Sequence, residues 1–179
     1  MRGRAVVLMG FMGTGKSEVG RRLAQRLGRA FVDTDEWIEE RAGKRIAAIF
    51  NEEGEAAFRR LEREAVAVAA AANRGDAVIA VGGGAVLDPE NVRRLREGGV
   101  LVHLTARPEV VLRRIGDGAS RPLLRDDPEA AVARLLAERE PAYAAAADVV
   151  VDTSEHDAEQ VVEEIQRALA GAERWKSST

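Results

Sequence analysis

A short apolar run at residues 5–9, AVVLM, leads into GFMGTGKS, in which Gly10 is followed by four residues and then by Gly15, Lys16 and Ser17. No other feature constrains the fold as much as this spacing. A glycine loop between a strand and a helix points its backbone amides inward, and together with the helix N-terminus these cradle phosphate oxygens. Lys16 would reach the terminal phosphates and the Ser17 hydroxyl would ligate magnesium. The chain holds 24 arginines but three lysines, and yet a lysine stands at position 16. A compact ammonium fits between phosphates where the wide guanidinium fork does not sit the same way. Gly13, Thr14, Gly15, Lys16, Ser17 and Glu18 are accordingly the candidate nucleotide-binding residues.

The rest of the chain repeats the same alternation. Apolar runs at 30–32, 77–81, 100–104 and 148–151 read as further strands, each buried on both faces as in a parallel sheet. Between them Val19, Leu23 and Leu27 recur at helical spacing and stop at Gly28; helices are also expected at 35–42, 55–72, 89–98 and 108–115. Asp88 before Pro89 is an N-cap followed by a first-turn proline, and Asp157 with Gln160 is a capping box for a last helix ending near Ala170. Asn73 and Gly75 close the helix at 55–72. The pattern predicts an α/β fold, a three-layer α/β/α arrangement with a five-stranded parallel sheet, as one domain over 1–171 and a flexible tail at 172–179. A stretch at about 116–128, rich in Gly, Asp, Ser, Arg and Pro, reads as a lid.

Composition removes several function classes. There is no cysteine, so disulfides, thiolate nucleophiles and Cys-ligated metals are excluded together, and two histidines far apart form no zinc cluster. Net charge is −3 with no block of basic residues, which argues against nucleic acid as a partner. No run of about 18 apolar residues occurs, and the opening MRGRAVVLMG is too short for an export signal, so the expectation is a cytoplasmic protein that does not engage a membrane. The guanine-recognition string NKxD, the switch DxxG and the transporter string LSGGQ are all missing. Small ATP-dependent kinases remain, with a second site for an acceptor.

Candidates for that acceptor site follow the strands. Asp33 and Asp35 stand two apart after the second strand; if extended, both would face the crevice and serve magnesium and an acceptor hydroxyl, whereas at a helix N-terminus they would complement its dipole. Gly82, Gly83 and Gly84 end the third strand, where a ligand could approach the backbone closely or the chain could simply turn. Among many arginines, context singles out Arg59 after Phe58, Arg121 beside Pro122 and Arg139 before Pro141 near a helix end. Two convergent guanidiniums would recognise a carboxylate bidentately; a surface role is the alternative for each. His103, inside an apolar run, reads as a core residue.

Taken in order over about 5–170, GFMGTGKS, FVDTD, GEAAFRRLE, VGGGAVL, RPLL and EREPAY resemble shikimate kinase. The resemblance implies five parallel strands in the order of nucleoside monophosphate kinases, and transfer of the ATP γ-phosphate, with Mg2+, to the 3-hydroxyl of shikimate; a monomer is the expectation for the chain. It implies that Asp35 binds ring hydroxyls and orients or deprotonates the attacking one, and that Arg59 and Arg139 clamp the shikimate carboxylate. Glu62 would hold Arg59, the Gly83 amide would contact the substrate within the Gly82 to Gly84 turn, and Asp33 would act on magnesium through water. Arg121 would close over the phosphates and join Lys16 and Asp35 as the catalytic set, while Arg114 and His156 would lie by the adenine. His156, Ala158 and Arg45 depart from the family's usual residues, Arg45 standing where a small hydroxyl residue often precedes Ile46. The alternatives are another small-molecule kinase, such as one for gluconate, and a non-catalytic nucleotide-binding module.

Overall fold

The apolar runs form five strands, β1 (Ala5–Met9), β2 (Ala30–Asp33), β3 (Ala77–Ala80), β4 (Gly99–Thr105) and β5 (Val149–Asp152), in a computed structural model that describes residues 4–72, 76–116, 122–124 and 127–176. All four pairings are parallel and the order is β2-β3-β1-β4-β5. β1 is therefore central, hydrogen-bonded to β3 on one side and β4 on the other. Because every strand runs the same way, the loops after β1, β2 and β3 leave from one edge of the sheet, where ligands bind in open α/β folds.

The two faces of the sheet divide by parity. Ala5, Val7 and Met9 pack with Ile79, Leu101, Val66 and Tyr143, whereas Val6 and Leu8 pack with Val78, Val102, Leu23 and Ile165. This is the period-2 consequence of burying both faces, and it explains why the strands read as continuous apolar runs. The covering helices are α1 (Lys16–Leu27), α2 (Thr34–Ala42), α3 (Ile46–Glu52), α4 (Glu55–Ala72), α5 (Pro89–Gly98), α6 (Pro108–Ile115), α7 (Pro128–Ala146) and α8 (Ala158–Lys176). The expected caps form: Asp88 accepts from the Glu90 amide at 2.9 Å, and Asp157 and Gln160 exchange reciprocal bonds of 2.9 Å.

Four features differ from the sequence reading. α3 and α7 are helices it did not assign, and Arg139 lies inside α7 rather than near a helix end, because that helix continues through Pro141 to Ala146. α8 passes the stop near Ala170 and takes in residues 172–176, read above as tail. Of the two geometries left open for the segment after Asp33, the helix start is the one found: Asp33 is the N-cap of α2 and Asp35 lies in its first turn. Most of the lid at 116–128, together with Asn73, Gly75 and residues 177–179, falls outside the described residues. Among the described residues no helix is long and apolar enough to cross a membrane.

Candidate active site

The phosphate loop hangs between β1 and α1. Gly15 sits at φ 89°, a left-handed conformation that only glycine takes at little cost, and it hands the chain into α1 at Lys16. Thr14 is buried inside the loop and its Oγ1 donates to the Phe11 carbonyl at 2.7 Å. The Lys16 ammonium folds back over the loop, donating to the Gly10 and Phe11 carbonyls at 2.8 and 2.9 Å. Its charge is thereby held at the loop. Ser17 Oγ donates to Asp33 Oδ2 at 2.5 Å, while Asp33 Oδ1 accepts the Asp35 amide at 2.9 Å. One carboxylate thus caps α2 and also meets the phosphate loop.

Lys16, Ser17 and Asp33 line a cleft of about 630 Å³ that also takes in the acceptor candidates. Asp35, Arg59, Glu62, all three glycines of 82–84 and Arg139 line the same cleft as Gly13, Gly15, Lys16, Ser17 and Glu18. The glycine turn explains its own composition. A Cβ on Gly82 would lie 2.8 Å from Glu62 Oε1 and 2.9 Å from Asp35 Oδ1, and one on Gly84 would overlap the Arg59 guanidinium. Only a bare backbone lets three charged side chains converge there.

The electrostatics follow burial. Glu62 is 2% exposed and donates nothing; its Oε2 accepts from Arg59 Nη1 at 2.7 Å, and Oε1 has no hydrogen-bond partner among the described residues. Burial holds its carboxyl above the ordinary value against the pull of Arg59 and Arg139. For Arg59 burial opposes the charge, but Glu62 and Glu55 outweigh it and raise the guanidinium's pKa. Of the two, the more deeply buried Glu62 carries the larger desolvation cost. Arg139 is 4% exposed, an unusual depth for arginine, and lies over the Phe11 ring at 5.6 Å. Of the arginines singled out by context, two are therefore drawn into the site, and Arg121 lies outside the described residues.

Arg114 and His156 are not among the residues lining this cleft. Arg114 is tied to Thr153, donating to Oγ1 at 2.9 Å and to its carbonyl at 2.7 Å, and reaches the Gly13 carbonyl at 3.2 Å. His156 is exposed, its Nδ1 3.3 Å from the Asp152 carbonyl. His103 is buried as expected and stacks on Tyr143 with ring centroids 4.6 Å apart; burial, then the Lys16 charge, pushes it down to about 4.

Sequence reasoning missed the apolar wall. Ile46, Ala47 and Phe50 of α3 and Phe58 of α4 line the acceptor end. The spacing of Ile46, Ile49 and Phe50 was the available signal, in a helix too short for periodicity to stand out. Arg45 now has an account: it offers no side-chain cap to α3, and Glu39 of α2 supplies one, accepting the Ile46 amide at 2.9 Å while pairing with Arg45 at 3.1 Å. Thr34, whose Oγ1 accepts the Gly82 amide at 3.1 Å, was also missed.

Residues 12–170 match the family described as shikimate kinase. A shikimate kinase of Moorella thermoacetica is 51% identical over 164 residues, spanning 92% of this chain and 93% of that protein. One of Caldanaerobacter subterraneus subsp. tengcongensis is 48% identical over 164 residues, spanning 91% and 94%. Among solved structures, a shikimate kinase from Acinetobacter baumannii in complex with shikimate superposes with a TM-score of 0.90 at 34% identity, covering 95% of this chain and 94% of that one.

Proposed function

The chain belongs to the shikimate kinase family and phosphorylates shikimate, and from that premise we propose how its residues divide the work of moving the ATP γ-phosphoryl group to the 3-hydroxyl. What carries the division is that Asp35, Arg59, Glu62, the Gly82 to Gly84 turn and Arg139 line one cleft with Lys16 and Ser17. An acceptor at the first set and a nucleotide at the second would be brought together on the C-terminal edge of the sheet.

Arg59 and Arg139 bind the shikimate carboxylate from two helices, with Glu62 holding Arg59 in place. Asp35 binds ring hydroxyls and orients the attacking one, or takes its proton as the phosphate bond forms. The glycine turn adds backbone amides. Residues 13–18 bind the nucleotide phosphates, and Lys16 neutralises charge that builds on the transferring group. Such a transition state asks mainly for positioning and charge, which is what this site supplies. Arg121, from the lid, adds a second cation, and Arg114 and His156 flank the adenine.

Mg2+ fits the residues present. Ser17 Oγ and Asp33 Oδ2 set two hard oxygens together beside the phosphate loop, matching an ion that takes one or two protein oxygens and fills its shell with phosphate and water. When bound it would neutralise phosphate charge. Among the described residues no cluster of three or more His, Cys, Asp or Glu offers a metal a site without nucleotide. We read the protein as a cytoplasmic monomer.

The test is a coupled assay for ADP release with ATP and Mg2+, with shikimate, gluconate or nucleoside monophosphates as acceptor. ADP formation with shikimate alone is expected. Turnover with gluconate and none with shikimate would overturn the acceptor, and ATP binding with no acceptor turned over would favour the non-catalytic module.

A further inference from the structure

Tyr143 heads the fully buried side chains by volume among the described residues, and it is the one tyrosine in the chain. A side chain so placed would ordinarily be filling. Its hydroxyl, however, donates at 2.5 Å to the carbonyl of Gly83, the middle glycine of the turn that faces the acceptor. Burial pushes the phenol up to about 12, so it remains a protonated donor at any working pH.

The position of that bond matters more than its strength. Peptide groups are planar and trans, so directing the Gly83 carbonyl toward Tyr143 turns the Gly84 amide the opposite way, away from α7. The turn is held at its ends by other contacts: the Gly82 amide donates to Thr34 Oγ1 at 3.1 Å, and Asn91 Nδ2 donates to the Ala85 carbonyl at 3.0 Å. The Ala85 amide also closes the turn onto the Gly82 carbonyl at 3.0 Å, and none of these bonds is made by the atoms of the peptide between Gly83 and Gly84. Tyr143 also stands four residues after Arg139 in α7, so both project from one helix face onto this turn. Arg139 Nη1 lies 3.4 Å from the point a Cβ on Gly83 would occupy, and the guanidinium reaches the phenol itself. On its other side the phenol ring stacks on His103, which feels the Lys16 charge.

We propose that Tyr143 is a positioning residue for the acceptor: through its hydroxyl it fixes the Gly83–Gly84 peptide plane and the spacing between the glycine turn and Arg139. The proposal rests on the reading that this turn and Arg139 bind shikimate.

Tyr143→Phe removes the hydroxyl and keeps the ring stacked on His103. The assay for ADP release is run on wild type and variant, varying shikimate at saturating ATP and then the reverse. The expected result is a KM for shikimate raised about three- to tenfold, the worth of one hydrogen bond, with the KM for ATP within about twofold. A purely structural tyrosine would lower Tm and move neither KM, and that outcome overturns the proposal alone. Absence of shikimate-dependent ADP from wild type would instead overturn the acceptor assignment and the proposal with it. Should the variant not fold, wild type grown with 3-fluorotyrosine gives one 19F resonance from this single tyrosine. Shikimate should shift it while gluconate does not; no shift at saturating shikimate overturns the proposal.

Discussion

The two ends of the cleft are built in different ways. The phosphate end is a contiguous loop, residues 10–17, whose internal bonds join groups a few positions apart: Thr14 to Phe11, Lys16 to Gly10 and Phe11. The acceptor end is assembled from the start of α2, the first turns of α4, the turn after β3 and the middle of α7. Its decisive contacts span large separations, Thr34 to Gly82 and Tyr143 to Gly83. A local loop can be set by glycine conformation and a helix start. An assembled site exists only when the sheet has brought its parts to one edge, so disturbing one part there disturbs its neighbours.

That contrast can be broken most forcefully at Asp35. Asp35→Asn should lower kcat by about 10²- to 10⁴-fold, the range for a group that orients or deprotonates a reacting hydroxyl, with the KM for ATP within about twofold. An equal loss of ATP affinity would mean that the two ends are not separable. At the phosphate end, Lys16→Met should cost about 10²- to 10³-fold in kcat, while calorimetric titration finds shikimate binding to the nucleotide-free enzyme little changed.

Smaller effects sharpen the comparison. Arg139→Lys should raise the KM for shikimate by about tenfold or more, because a point charge cannot make a bidentate contact; an unchanged KM would place Arg139 outside the acceptor's reach. Gly84→Ala should raise the same KM by about five- to tenfold, since its methyl would displace the Arg59 guanidinium. Steady-state kinetics with ATP varied should show no matching change.

The smallest effect lies in the core at His103, which stacks on Tyr143 and feels the Lys16 charge. Its folded value of about 4 is below the model-peptide value near 6.5 because of burial and the Lys16 charge. As pH falls from about 6.5 toward 4 the unfolded chain takes up a proton that the folded one refuses, so stability is lost across that window. His103→Phe removes that contribution. Thermal melts between pH 7 and 4.5 should show a shallower decline in Tm for the variant; parallel declines would show that His103 is not held neutral.

The legibility of the site follows the same division. The phosphate loop, the five strands and the caps at Asp88 and Asp157 could be read because each depends on residues close in sequence. α7 shows why other parts could not. Its buried stripe, Val132, Leu135, Arg139, Tyr143 and Ala146, keeps helical spacing, but its central member is an arginine and alanines on the other faces mask the period. For Asp33 and Asp35 spacing left two geometries open, and the start of a helix, not an extended segment, is what directs them into the cleft. The family resemblance supplied the roles of the acceptor candidates and added Glu62, which spacing did not single out.

By itself, then, the sequence determined a parallel sheet with a phosphate loop at the end of its first strand, because apolar runs, glycine conformations and caps act over short range. Only the tertiary structure decided which of the described arginines are drawn into the cleft, that Glu39 caps α3 in place of a hydroxyl at position 45, and that a core tyrosine reaches the glycine turn. Those outcomes depend on what packs opposite each side chain, and the packing is set by strands and helices distant in the chain.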